Sequence, residues 1–100
     1  MMIQFTLTMP SNNSWNGKWS GEESLYALVR SYRDKAVAQK ILDAGYQSYS
    51  FGDGWRAAIE SKEIGASTAE KVRKKSNGFC GYDWMVDSIE RHGVIRSSAA

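Results

Sequence analysis

Cys80, Asp83, Asp87 and His92 sit close together in the sequence and are its best candidates for catalysis or metal binding. Cys80 falls just before a helix start, where a thiolate is stabilised. It is bracketed by Phe79, Gly81 and Tyr82, a setting that favours a buried, inert thiol. His92 is the single histidine and falls in the last turn of the same helix, where the dipole favours an imidazolium; a structural role accounts for it. Asp83 and Asp87 share a helix face at i, i+4, but two carboxylates with neither a histidine nor a third carboxylate make a poor metal site. Gly52-Asp53-Gly54 is too short for a phosphate loop, and a strand rather than a helix follows it. The expectation is therefore a non-enzymatic protein, with no catalytic residue, metal ligand or cofactor assigned.

Binding chemistry has better candidates. Lys71, Arg73, Lys74 and Lys75 concentrate cations on one short, mostly polar helix. They could hold phosphates or an acidic partner; the plainer reading is a solvated helix face with cations near its C-terminal dipole end. Trp15, Lys18 and Trp19 lie on a loop rich in Asn, Gly and Ser. Tryptophan is enriched at binding hot spots, so these residues are candidate partner contacts. The competing reading folds both rings back over a sheet edge. Trp84, off the buried stripe of its helix, joins them as a partner-binding candidate.

The bulk numbers bound these readings. One hundred residues make a single domain, 1–100, with one core and little area to spare. The chain is 42% hydrophobic and 24% charged, close to the globular norm. Its 12% aromatic content supplies large core fillers that are also favoured at interfaces. A net charge of +2 is too small to imply an anionic partner by itself. No apolar run reaches membrane-spanning length, and no basic start leads into an apolar block. A lone cysteine suits a reducing compartment. Together these predict a cytoplasmic protein.

The elements that position the candidates follow from patterning. Ile3 to Met9 alternates apolar and polar residues, predicting a half-buried strand ended by Pro10. Asn16-Gly17 is a strong two-residue hairpin signal, which sets Trp15 opposite Lys18 within cation–π reach. Glu22 to Arg33 is ambiguous. Ser20-x-x-Glu23 resembles a capping box, and Leu25, Leu28, Val29 and Tyr32 recur at helical spacing. A strand is preferred because the Asn-Gly turn returns the chain to the first strand. Asp34 to Ala44 predicts a helix with Val37, Ile41 and Ala44 on its stripe and Gly45 at its stop.

Around Gly52-Asp53-Gly54, a three-residue loop sets Phe51 across from Trp55, Tyr49 from Ala57 and Gln47 from Ile59. That register gathers the large apolar groups on one face, leaves Ser48, Ser50, Arg56 and Glu60 on the other, and puts Gly54 at the left-handed position. Ser67-x-x-Glu70 predicts a capped surface helix through Lys75, with Ala69 and Val72 its only apolar positions. Asp83 to His92 predicts a last helix with Asp83 as N-cap and Gly93 beyond its end. Tyr82, Met85, Val86 and Ile89 form its buried stripe, with Trp84 and Ser88 pointing elsewhere. Residues 96–100 are expected to fray. The sum is an α+β domain: a four-stranded, largely antiparallel sheet of two hairpins, with about three helices gathered on one face.

Ser14–Glu22 (SWNGKWSGE), Phe51–Trp55 (FGDGW) and Arg73–Gly93 (RKKSNGFCGYDWMVDSIERHG), together with FTLTMP near the start, resemble a family of short proteins carried by bacteriophages and other mobile elements. The resemblance spans nearly the whole chain and brings no catalytic residues. It implies a setting inside a bacterial host cell, where phage proteins of this size bind and disable host machines; inhibitors of CRISPR–Cas immunity are a prominent class. The positive net charge departs from the strongly acidic DNA mimics among them. The expected function is thus an anti-CRISPR-like protein that binds a host defence complex, acting as a monomer or homodimer. The alternative is a small accessory or regulatory protein that binds nucleic acid through the basic helix 68–75.

Overall fold

The computed structural model describes residues 1–8, 26–52, 55–79 and 81–96. Four strands, β1 (Met2–Thr8), β2 (Tyr26–Ser31), β3 (Tyr46–Gly52) and β4 (Trp55–Ile64), form one antiparallel sheet in the order β2-β1-β4-β3. Three helices, α1 (Lys35–Ala44), α2 (Ala66–Lys75) and α3 (Trp84–His92), complete an α+β fold. The ambiguous segment is a strand where it is described: β2 pairs along β1 from Leu7↔Tyr26 to Met2↔Ser31. The expected Asn16-Gly17 turn and the Ser20-x-x-Glu23 box lie outside the described residues.

The alternation in β1 places Ile3, Phe5 and Leu7 on one face, all buried, where they meet Ala57 and Ile59 of β4. Ala38 and Ile41 of α1 and Met85, Val86 and Ile89 of α3 close this core from above, with Phe79 beside them. Asp34 caps α1 by accepting a hydrogen bond from the Ala36 N–H at 2.8 Å, satisfying a donor that the first turn leaves free. At the other end Gly45 stops the helix with φ 61°. The buried Ser61 hydroxyl lies 3.2 Å and 3.1 Å from the carbonyls of Ile41 and Gly45 and shares its proton between them, joining the end of α1 to β4.

Four expectations need correction. The helices do not all share one face. α2 packs on β2 and β1, and its buried Ala69 stands apart from the cluster under α1 and α3. It therefore covers the reverse face, where Gln4 and Ala27 are also buried. That helix is not capped by Ser67; it starts at Ala66 with Gly65 as a cap that offers no side-chain hydrogen bond. Asp83 holds the N-cap position of α3 but its backbone is helical and its side chain caps nothing. Ser88 is buried rather than pointing away: its hydroxyl donates to the Val94 carbonyl at 2.8 Å and accepts from the Arg96 N–H at 2.7 Å.

The stretch after α3 is accordingly pinned as far as Arg96. Gly93 turns it back in the left-handed region at φ 76°. The Gln47 amide then bridges it to β3, donating to the Gly93 carbonyl at 2.9 Å and accepting from the Ile95 N–H at 3.0 Å. Residues 97–100 of the expected frayed tail lie outside the described residues. Because Phe5 is fully buried at the centre of the middle strand, Phe5→Ala should destabilise the domain by about 3–5 kcal/mol. Urea denaturation followed by tryptophan fluorescence checks this.

Candidate binding surfaces

The central hairpin keeps the expected register over most of its length: Gln47 faces Ile59 and Tyr49 faces Ala57. It departs from it at the tip. Gly52, not Phe51, stands opposite Trp55, and the register shifts between Ser50 and Gly52. Phe51 is thus the extra residue of a bulge, and Gly52 takes the positive φ, 86°, that such a bulge requires. Gly54, given that role from the sequence, lies outside the described residues.

Phe51 nevertheless stays with Tyr49 on the face that α3 covers. Its ring meets Tyr49 edge-on at 4.9 Å between centroids, Tyr82 at 5.8 Å and Trp84 at 6.3 Å, while Tyr49 meets Trp84 at 5.4 Å. These T-shaped contacts set the positive edge of one ring against the negative face of the next. Tyr49, Tyr82 and Trp84 are half-buried against the core, but Phe51 keeps 41% of its surface in solvent. The result is an ordered aromatic patch at one corner of the sheet. Trp84, read from the sequence as off the buried stripe, is packed against the core beside Tyr82 and held by neighbours that sequence reasoning did not name. The signal was present in part, since Tyr82 and Trp84 are near neighbours and FGDGW is rich in aromatics. Trp15, Lys18 and Trp19 lie outside the described residues, as does Cys80.

On α2, Lys71, Arg73, Lys74 and Lys75 are all exposed. Lys74 lies 3.7 Å from Glu70 one turn earlier, a solvent-screened pair of small energetic worth. The other three have no ionic partner among the described residues. Three of the four cations cluster in the last helical turn, where they also offset the partial negative charge of the helix end. The basic surface and the aromatic patch belong to different layers, α2 on one face of the sheet and α3 on the other.

A third cluster was not foreseen from the sequence. Arg30 of β2 donates to Asp87 at 2.7 Å and to Glu90 at 3.1 Å, and the Tyr32 hydroxyl donates to the same Glu90 carboxylate. Asp87, read from the sequence as half of a carboxylate pair with Asp83, is instead engaged by Arg30. His92 is exposed, with its Nδ1 3.4 Å from Arg96 Nη1. No group of three or more metal-ligating side chains occurs among the described residues.

Partial burial disfavours the Arg30 cation, yet the hydrogen bonds to Asp87 and Glu90 outweigh it and hold the guanidinium more firmly protonated than usual. Burial raises the Tyr32 phenol, and its hydrogen bond to Glu90 raises it further. The sequence separations of 57 and 60 residues put this cluster beyond local pattern reading.

The raised phenol has a sign that can be tested. Below about pH 10, the ordinary tyrosine value, Tyr32 is neutral folded and unfolded, and the contribution of the cluster is intact. Above it the unfolded chain ionises first, so stability falls as pH rises toward the folded value. Tyr32→Phe should flatten that alkaline decline in unfolding free energy, measured by urea titration between neutral and strongly alkaline pH.

Comparison of the chain with protein-family models, with curated proteins and with solved structures finds no match.

Proposed function

We propose that this chain is a non-catalytic, cytoplasmic binding protein of the phage type, which docks on a bacterial defence complex and inhibits it, a CRISPR–Cas effector being the most specific target. The observation that carries the binding reading is the aromatic patch. Phe51 is 41% exposed although three aromatic neighbours hold it in place. A large apolar ring fixed before binding loses little conformational freedom when a partner covers it, and such anchors dominate interface energetics. The half-buried Tyr82 and Trp84 extend the surface around it. The identity of the target class comes from the resemblance of SWNGKWSGE, FGDGW and the Arg73–Gly93 stretch to phage-borne proteins.

Expression of the chain in bacteria with active CRISPR interference should restore plaquing by a targeted phage, and the immobilised chain should retain the effector from their lysate. Phe51→Ala should weaken that capture by about 2 kcal/mol, roughly 30-fold, while circular dichroism still reports the folded domain. Retention of no defence protein together with undiminished immunity would overturn the proposal.

A second reading rests on α2. Lys71, Arg73 and Lys75 are exposed without ionic partners among the described residues, so a phosphate backbone would meet no competing carboxylate on them. Three cations engaging duplex DNA give a log–log salt slope of about −3. Under this reading Lys74→Glu with Lys75→Glu abolishes DNA binding and leaves the fold intact, because both side chains are exposed. Filter binding across a salt series separates the two readings, since the aromatic interface predicts weak salt dependence.

A further inference from the structure

Asn77-Gly78 follows the Ser76 cap of α2 and belongs to neither surface described above. The pair lies outside helix and strand, with Asn77 exposed and Gly78 turning the chain at φ 68° toward the buried Phe79. The Phe79 carbonyl then accepts the Tyr82 N–H at 2.9 Å, which fixes the far side of the turn. The Gly78 N–H donates to no group among the described residues. A Cβ built at Gly78 would meet no atom within 4 Å, so the space beside its backbone is open.

These conditions favour loss of a side-chain amide. The nitrogen of Gly78 carries no neighbouring side chain to shield it, and no hydrogen bond holds its proton. In a helix or strand the same N–H would be bonded and its backbone fixed, away from the asparagine side chain. Asn77 makes a contact of its own, and the reaction rate reads how often that contact leaves the amide open to attack.

We propose that Asn77 is a self-modification site, converted by water into aspartyl and isoaspartyl forms in the folded protein. Base removes the Gly78 N–H proton, and the nitrogen attacks the side-chain carbonyl carbon of Asn77. A C–N bond to Gly78 forms, the bond to the amide nitrogen breaks, and that nitrogen takes up a proton and leaves as ammonia. The cyclic imide that remains adds one water at either of its two carbonyls. Opening at one restores the original main chain with an aspartyl side chain. Opening at the other routes the main chain through the side chain. No oxidant, cofactor or second protein enters the balance.

The place of the new carboxylate gives the reaction a consequence. It forms just beyond the last turn of α2, which carries Arg73, Lys74 and Lys75, and takes one unit from a net charge of +2. The isoaspartyl form also adds a methylene to the main chain between α2 and Phe79, whose side chain is packed in the core. The conversion runs one way, so the age of the molecule, not a ligand, sets the charge at this end of the basic surface.

Peptide mapping by mass spectrometry on the full chain tests this. Cleavage after Lys75 and Arg91 isolates residues 76–91, which contain no other Asn or Gln. A folded sample held at mildly alkaline pH and body temperature should lose the amide from this peptide progressively, and faster as the pH is raised. Two products should separate by chromatography, one of them matching the peptide from an Asn77→Asp chain. Asn77→Gln should keep its amide over the same period. Circular dichroism at each time point verifies that the sample is folded, and a parallel sample in concentrated urea gives the rate free of structure. A folded chain that keeps the Asn77 amide after the urea sample has converted overturns the proposal. So does an amide that survives in both samples, or loss confined to Asn12, Asn13 and Asn16.

Discussion

Pairing of β1 along its length on both sides is the constraint on which the structure rests. From Met2 to Leu7 each residue has a partner in both β2 and β4, so the backbone groups of this inner strand are satisfied where water cannot reach them. Ile3, Phe5 and Leu7 can then be buried without leaving orphaned polar groups beneath them. Everything else attaches to that strand. β4 brings Ala57 and Ile59 beside it, α1 and α3 cover the face these residues share, and β3 hangs from the far side of β4.

Polar side chains do the joining that a core this small cannot do by area alone. Ser61, Gln47 and Ser88 each satisfy backbone groups of a neighbouring segment, respectively the end of α1 and two points along Gly93–Arg96. Arg30, Tyr32, Asp87 and Glu90 tie β2 to α3. Breaking one member of such a cluster strands the rest, since a partly buried group that loses its partner keeps its desolvation penalty. These links fix how α3 sits on the sheet, and that placement brings Tyr82 and Trp84 to the tip of the central hairpin.

The two faces of the sheet therefore carry different surfaces. One presents aromatic rings around Phe51; the other presents the cations of α2. The first is built where Phe51, the extra residue at the hairpin tip, stands beside Tyr49, Tyr82 and Trp84, and a helix with only two apolar anchors, Ala69 and Val72, creates the second by leaving its remaining faces to solvent. Separation of the surfaces lets a change to either be read without disturbing the other.

Local chemistry in the sequence was enough to determine the strand alternation of β1, the Gly45 stop of α1, the extent of α2 to Lys75 and α3 to His92, and the pairing of Tyr49 with Ala57 and Gln47 with Ile59. Each depends on residues close together in the chain, and for the hairpin on keeping large apolar groups on one side. What only the tertiary structure decided involves distant or competing partners. The polar face of β1 looked solvent-facing, yet Gln4 is buried with α2 packed on that side. Ser88 looked outward until Val94 and Arg96 folded back onto it. Asp87 looked like half of a carboxylate pair until Arg30, 57 residues away, took it. The positive φ of Gly52 followed from the register shift after Ser50, which local pattern did not show. Sequence periodicity reports which side of an element is apolar; it carries no information about which distant polar group will satisfy the other side.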